Sequence, residues 1–239
     1  GGKHCIITSG TGSGKTESFL LPLFAQLSKE MASWGVPTIK EDLCDKWWNE
    51  DLQINEVVDN STFELKETCQ QRSHNRRPAG VRALILYPMN ALVEDQLTRL
   101  RKALDSDDAR EWFGNNLQDN CIYFGRYNST TPVSGELKKK ENGTDIINRY
   151  KIEALKKELK AIENDANRVN EYIVEKLQSG EISESDAKDL ISFFPRIDGA
   201  EMRTRFDIQV APPDILITNY SMLSIMLMRD IDSGIFDKT

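Results

Sequence analysis

Ser9-Gly10-Thr11-Gly12-Ser13-Gly14-Lys15-Thr16 constrains this chain more than any other stretch, because it asks for a strand before it and a helix after it. Gly10, Gly12 and Gly14 let successive backbone N–H groups converge on phosphate oxygens, with Thr11 and Ser13 between them. Lys15 is placed to reach the β- and γ-phosphates, and Thr16 to ligate Mg²⁺. The helix that starts there points its positive end at the same anion. The flanks agree: Cys5-Ile6-Ile7-Thr8 reads as a short buried strand, and Phe19, Leu20, Leu23, Phe24 and Leu27 as one helix face. Ser9 stands where the pattern G-x-x-x-x-G-K-[ST] has its first glycine, and it is small enough for the turn. The plainer alternative is a glycine-rich turn with no ligand.

Further apolar runs repeat the strand-then-helix rhythm. Val81-Arg82-Ala83-Leu84-Ile85-Leu86-Tyr87 is halted by Pro88 and followed by a helical pattern of Leu92 or Val93, Leu97, Leu100 and Leu104. Asp214-Ile215-Leu216-Ile217-Thr218 follows Pro212-Pro213 and leads to Met222, Leu223, Ile225 and Met226. Cys121-Ile122-Tyr123-Phe124 is a weaker candidate strand that ends in Gly125. Apolar strands alternating with helices indicate an α/β fold with a parallel sheet covered by helices. Pro22, two turns into the first helix, is expected to perturb it.

Two segments break that rhythm. Residues 37–78 are polar and acidic around Trp47-Trp48 and read as an insertion with at most short helices; the tryptophans are expected to anchor a small cluster. Residues 135–206 form a second, helical insertion. In it Ile152, Leu155, Leu159, Ile162, Ala166, Val169 and Ile173 recur at three- and four-residue steps, as in a coiled-coil seam. Ser179-Gly180 ends that helix and a shorter one is expected up to Pro195, either as a projecting hairpin or packed on the core. Lys138-Lys139-Lys140 reads as a solvated turn before the long helix.

A net charge of −7 argues against a broadly basic surface, though it leaves room for binding through loops and helix starts. Cys5, Cys44, Cys69 and Cys121 lie far apart and form no metal-binding or disulfide pattern, which fits a reduced, cytoplasmic protein. No apolar run suggests a membrane span. The abrupt start just before a phosphate loop reads as a fragment of a longer chain.

These segments together resemble the superfamily 2 DEAD/DEAH-box helicases. Thr11-Gly12-Ser13-Gly14-Lys15-Thr16-Glu17-Ser18-Phe19-Leu20-Leu21-Pro22 is similar to helicase motif I, and Tyr87-Pro88-Met89-Asn90-Ala91-Leu92 to motif Ia. Tyr123-Phe124-Gly125-Arg126 resembles the intervening glycine motif, and Asp214-Ile215-Leu216-Ile217-Thr218-Asn219-Tyr220-Ser221-Met222-Leu223 motif Ib. The order matches the family's. The resemblance implies a RecA-like P-loop NTPase lobe over residues 1–239, interrupted by the insertions at 37–78 and 135–206. It implies ATP and Mg²⁺ held by Gly10 to Thr16, with Lys15 and Thr16 as the catalytic candidates. It implies a nucleic-acid strand held by Pro88, Met89, Asn90, Gly125, Arg126, Thr218, Asn219 and Tyr220.

Met89-Asn90 and Tyr220-Ser221 stand where the RNA-acting subgroup typically has arginines, so DNA is the expected partner. The narrower likeness is to large bacterial helicases of DNA repair and antiviral defence. A second RecA-like lobe of the same full-length chain is expected to complete the motor, and the helical insertion is a candidate docking site for a protein partner. No D-E-x-H tetrapeptide follows Thr218, so this segment alone is expected to hydrolyse ATP negligibly. The alternatives are an unrelated P-loop NTPase or kinase, and a helicase-derived scaffold whose insertions recruit partners.

Overall fold

Three of the apolar runs pair into a single parallel sheet. The computed structural model describes residues 4–8, 14–38, 46–49, 53–66, 69–133 and 136–237. In chain order these hold α1 (Lys15–Met31), α2 (Ile54–Val57), β1 (Val58–Asp59), β2 (Glu64–Leu65), β3 (Ala83–Tyr87), α3 (Asn90–Leu104), α4 (Asp107–Leu117) and β4 (Phe124–Tyr127). There follow β5 (Lys138–Glu141), β6 (Thr144–Ile147), α5 (Arg149–Gln178), α6 (Glu184–Ile191), α7 (Arg205–Val210), β7 (Ile215–Asn219), α8 (Tyr220–Met226) and α9 (Asp230–Phe236).

The sheet order is β3-β7-β4, so the last strand in sequence is the central one. Both pairings are parallel, with Ala83 and Phe124 each opposite Ile215, Tyr87 opposite Asn219 and Tyr127 opposite Thr218. That register brings the C-terminal ends of all three strands to one edge. Ile215 to Thr218 are buried, as a strand flanked on both sides and covered on both faces must be. Helices α1 and α3 supply Leu20, Leu27, Val93, Leu97 and Leu100 to the same core. This helix-flanked parallel sheet is a RecA-like α/β fold.

Residues 4–8 do not form the expected strand. They are exposed, with Ile6 at 89%, and none of the described strands pairs with them. Without a ladder partner an apolar run has nothing to hold it as a strand. The weak fourth run starts later than its apolar residues suggest and continues through Gly125 to Tyr127. Gly125 is required there by packing: a Cβ would lie 2.8 Å from that of Met202, whose segment runs alongside, with Met202 N–H donating to Phe124 O at 2.7 Å. Helix α1 runs uninterrupted through Pro22.

The first polar segment contains a two-stranded β1–β2 hairpin as well as the short α2. Trp47 and Trp48 are buried in a second core with Leu65, Ile152, Leu155 and Leu159. Trp48 Nε1 donates to Glu163 at 2.8 Å and Lys46 pairs with the same carboxylate at 2.6 Å, so α5 is fastened to this segment by a polar link as well as by area. The lysine triplet is no turn but strand β5, paired antiparallel with β6. The turn between them is Asn142-Gly143, both at positive φ (51° and 80°), the geometry of a type I′ hairpin. The first half of α5 lies on the second core, α5 also packs against α6, and α6 is tied to α3 and α4 by Lys102–Asp189 and Lys188–Asp108.

The strands are tied together at their N-terminal ends by Asp214, which is fully buried. Its carboxylate accepts from Arg77 through both oxygens (Nη1 at 2.6 Å), from Arg82 Nη1 at 2.8 Å and from Tyr123 N–H at 2.8 Å. Arg77 lies 3.5 Å from the Trp34 ring centre, and Arg82 continues to Glu30 of α1 at 2.7 Å. A second buried pair, Arg101 to Glu201 (2.5 and 2.9 Å), fixes α3 to the segment beside β4. Just beyond α3, Asp105 receives the Ala200 N–H at 3.1 Å, and burial raises its pKa to about 6.

Two stability outcomes follow. Asp214→Asn leaves Arg77 buried without its counter-charge and should cost about 3 kcal/mol or more in urea unfolding, as a broken buried pair does. Asp105 has a folded pKa above its unfolded one, so its contribution is full below about pH 4 and is lost as pH rises through about 6. The wild type should therefore lose up to about 3 kcal/mol relative to Asp105→Asn between pH 4 and 7. Parallel pH profiles of the two proteins would disprove this.

Candidate functional site

The C-terminal edge of the sheet gathers the residues that the motifs single out. Asn90 opens α3 directly after β3, Asn219 ends β7, and Asn128 follows β4. Asn90 Oδ1 accepts from Asn219 Nδ2 at 2.9 Å and from Asn128 Nδ2 at 3.3 Å, while Asn90 Nδ2 donates to Ser129 Oγ at 3.3 Å. Three segments distant in sequence are thus joined by neutral side chains whose amides have two donors and one double acceptor each.

Asn219 also caps α8, its Oδ1 accepting from Met222 N–H at 2.7 Å. The start of α8 is therefore already served by the protein. The start of α3 is not: Met89 makes no side-chain cap, which leaves the first N–H groups of a 15-residue helix facing outward. Pro88 and Met89 are exposed beside it, and Tyr220 stands out at 73% exposure. Thr218 is buried and donates to Tyr127 O at 2.5 Å, so its hydroxyl joins β7 to β4. Arg126 is ion-paired with Glu94 of α3, and burial lowers its pKa. Gly125 lies under Met202, away from the surface.

At the other motif, Gly14 has φ +76°, a left-handed conformation that suits glycine, and opens α1 without a capping side chain. Lys15 and Thr16 are half-buried in the first turn. An uncapped 17-residue helix with a lysine and a threonine at its start fits a phosphate–Mg²⁺ group. Gly10, Thr11, Gly12 and Ser13 lie outside the described residues. Glu17, in the same turn, pairs with Arg99 of α3 at 2.6 Å, and Arg99 also binds Asp95 at 3.0 Å. The hydrogen bond that Arg99 donates to the Asp95 carboxylate raises the Arg99 pKa. The phosphate-loop helix and the helix that carries Asn90 are thereby connected at the surface.

Residues 1–123, just over half of the chain, match the DEAD/DEAH box helicase model. The chain belongs to this family. It is also 29% identical over 255 residues to Druantia protein DruE of Escherichia coli (strain UMEA 4076-1), an alignment covering 98% of this chain and 12% of that protein. The chain thus spans a small part of that relative's length. No solved structure matches it.

Within this helicase-family domain, sequence reasoning missed Asn128, while Arg203 and Arg205 were expected to emerge near the binding edge. Asn128 is fully buried, accepts from Thr130 N–H at 3.0 Å and Thr130 Oγ1 at 2.8 Å, and its carbonyl accepts from Arg205 Nη2 at 2.5 Å. The Asn-Ser-Thr-Thr run after a strand was the available signal, since such residues fold loops back on themselves. Arg203 turns inward, 5.2 Å from the Trp48 ring centre and 3.7 Å from Asp207. Among the described residues no group of His, Cys, Asp or Glu could hold a metal ion by itself. No described helix is long and apolar enough to cross a membrane.

Asn90 and Asn128 should behave as one unit. A double-mutant cycle of Asn90→Ala and Asn128→Ala in thermal or urea unfolding is expected to show a coupling of about 0.5–3 kcal/mol. Strict additivity would mean that the pair does not interact in solution.

Proposed function

We propose that this chain is the ATP-binding and strand-gripping lobe of an ATP-dependent helicase or translocase that acts on DNA. The observation that carries this reading is the convergence of Asn90, Asn128 and Asn219 on one sheet edge, beside the uncapped start of α3. Open α/β sheets bind ligands at that edge. Neutral amides and backbone N–H groups suit contacts to phosphate and sugar, which carry no base identity and so let a strand move through. Pro88, Met89 and Tyr220 line the approach, Arg126 supplies a cation, and Gly125 and Thr218 shape the strands behind them.

ATP with Mg²⁺ supplies the free energy when bound. Gly10 to Gly14 hold its phosphates by backbone N–H groups, Lys15 neutralises their charge and Thr16 offers its hydroxyl to the ion. The Glu17–Arg99 pair lies between α1 and α3 and supports a coupling of the nucleotide end to Asn90. A second RecA-like lobe of the full-length protein completes the site, and the α5–α6 segment is the docking candidate for a protein partner. The narrower sequence likeness supports a cytoplasmic role in DNA repair or antiviral defence.

The test is strand-stimulated ATP turnover by the full-length protein, with single-stranded DNA and RNA compared. Lys15→Ala should lower turnover by about a hundredfold or more with or without a strand. Asn90→Ala should lose mainly the stimulation, and DNA should stimulate more than RNA. Stimulation that survives Asn90→Ala undiminished would overturn the strand-edge assignment. The 239-residue chain by itself should show negligible turnover; steady-state hydrolysis that Lys15→Ala abolishes would refute that.

A further inference from the structure

Helix α6 is held to the corner between α3 and α4 by charge. Lys102 in the last turn of α3 pairs with Asp189. Asp108 in the first turn of α4 accepts from Lys188 at 2.8 and 3.1 Å, and Asp107 beside it accepts from Arg196 at 2.5 Å. We propose that residues 181–196 form a latched strap, which opens from α3 and α4 as a unit while the sheet stays folded, and which salt releases. The proposal goes beyond the reading of the chain as a motor lobe and does not depend on it.

The first argument is that little besides charge holds the strap. Ala187 is the one buried side chain of α6, and Phe193 and Phe194 after it are exposed. Toward α5 the fit is open: a cavity of ≈ 250 Å³ lies between Ala166 and Val169 of α5 and Ile191, Phe194 and Pro195. Across such a gap dispersion contacts are lost. The side chains of the Lys102–Asp189 and Lys188–Asp108 pairs are all more than half exposed. Ion pairs of that kind are individually weak and screened by salt. Their order is nonetheless specific, because the adjacent Lys188 and Asp189 carry opposite charges and each meets its opposite on the body. One further bond, from Arg101 Nη1 to Phe193 O at 3.0 Å, breaks on opening, while Arg101 keeps its bonds to Glu201.

The second argument is how the strap is bounded. At its start Gly180 has φ +73° and nothing within 4 Å of where a Cβ would stand, so the joint there has room to turn. Helix α6 then begins on its own capping box: Ser183 Oγ accepts from Asp186 N–H at 3.2 Å, and Asp186 Oδ2 accepts from Ser183 N–H at 3.0 Å. Ser192 Oγ donates to Asp189 O at 2.7 Å, also within the strap. These bonds travel with it. At the far end the chain is pinned: Ile197 packs on the second core, Asp198 pairs with Arg110 at 3.0 Å, and Ala200 N–H donates to Asp105. A free joint at one end and a fixed one at the other confine the opening to the residues between.

The test follows amide hydrogen exchange of the full-length protein by mass spectrometry, comparing peptides from α6 with peptides from β7. Raising salt from about 50 mM to about 500 mM should speed exchange in α6 about tenfold and leave β7 unchanged. The reason is that an 8-residue helix is unstable once it leaves the body. Lys188→Glu should produce the same acceleration at low salt, and so should Asp108→Lys. Lys188→Glu/Asp108→Lys restores the pair with its signs exchanged and should bring α6 back toward the wild type. Arg168→Glu, a charge reversal on α5 outside the latch, should change nothing in α6.

Exchange in α6 that ignores both salt and Lys188→Glu would overturn the proposal, as would a double variant that exchanges as fast as the single ones. So would an equal acceleration in β7, which would mean that the whole domain loosens. If a variant fails to fold by circular dichroism, the salt series on the wild type decides alone.

Discussion

The Asp214 carboxylate is the contact on which the rest of the fold depends. It lies at the start of the central strand, and its partners are Arg77 and Arg82, which lead into β3, and Tyr123, which leads into β4. Its backbone serves the same purpose: Asp214 O accepts from Ala83 N–H and Asp214 N–H donates to Tyr123 O, both at 2.9 Å. One residue thus sets the register of β3 and β4 against β7. Because the three strands are of nearly equal length, fixing their starts also fixes their ends. The meeting of Asn90, Asn128 and Asn219 is a consequence of a charge held four to five residues upstream on β7.

Burying that charge is expensive, and the arrangement offsets the expense in several ways at once. Two guanidinium groups and an amide N–H satisfy both oxygens, and Arg77 gains a further contact from the Trp34 ring. A buried pair with such partners yields little net stability over an apolar substitute, yet breaking it is costly. Its value here is in specificity of register. A parallel sheet of smooth Ile and Leu runs could slip, and a slip by one residue would turn every side chain to the wrong face. The Arg101–Glu201 pair acts in the same way on the other side of β4, where it holds α3 in place.

How much of this was legible in the chain follows from how local each signal is. β7 was readable because a strand covered on both faces is a continuous apolar run, and β3 because its apolar run is closed by Pro88, although Leu84 and Leu86 on one face are exposed. Helix α1 was readable because its start and its apolar face lie within one short stretch. The β5–β6 hairpin was also written locally, in Asn142-Gly143, but the lysines before it drew attention to charge and away from turn geometry. The strand expected at residues 5–8 shows the converse: an apolar run signals burial only where a partner strand runs beside it. Asp214 with Arg77, Arg101 with Glu201, and Asn90 with Asn219 are separated by 100 residues or more. No window along a sequence contains both members of such a pair.

The same distinction explains the split behaviour of α5. Its stripe of Ile152, Leu155 and Leu159 continues regularly through Ala166 and Val169, and periodicity alone treats the whole stripe as one seam. Burial does not. The stripe is buried as far as Leu159; Ile162 is half-covered, and beside it the buried Glu163 turns its carboxylate to Trp48 and Lys46. Beyond it Ala166 and Val169 are only half-covered, and Ile173 is buried again near α6. Glu163 therefore marks where the helix changes partners, from the second core to α6.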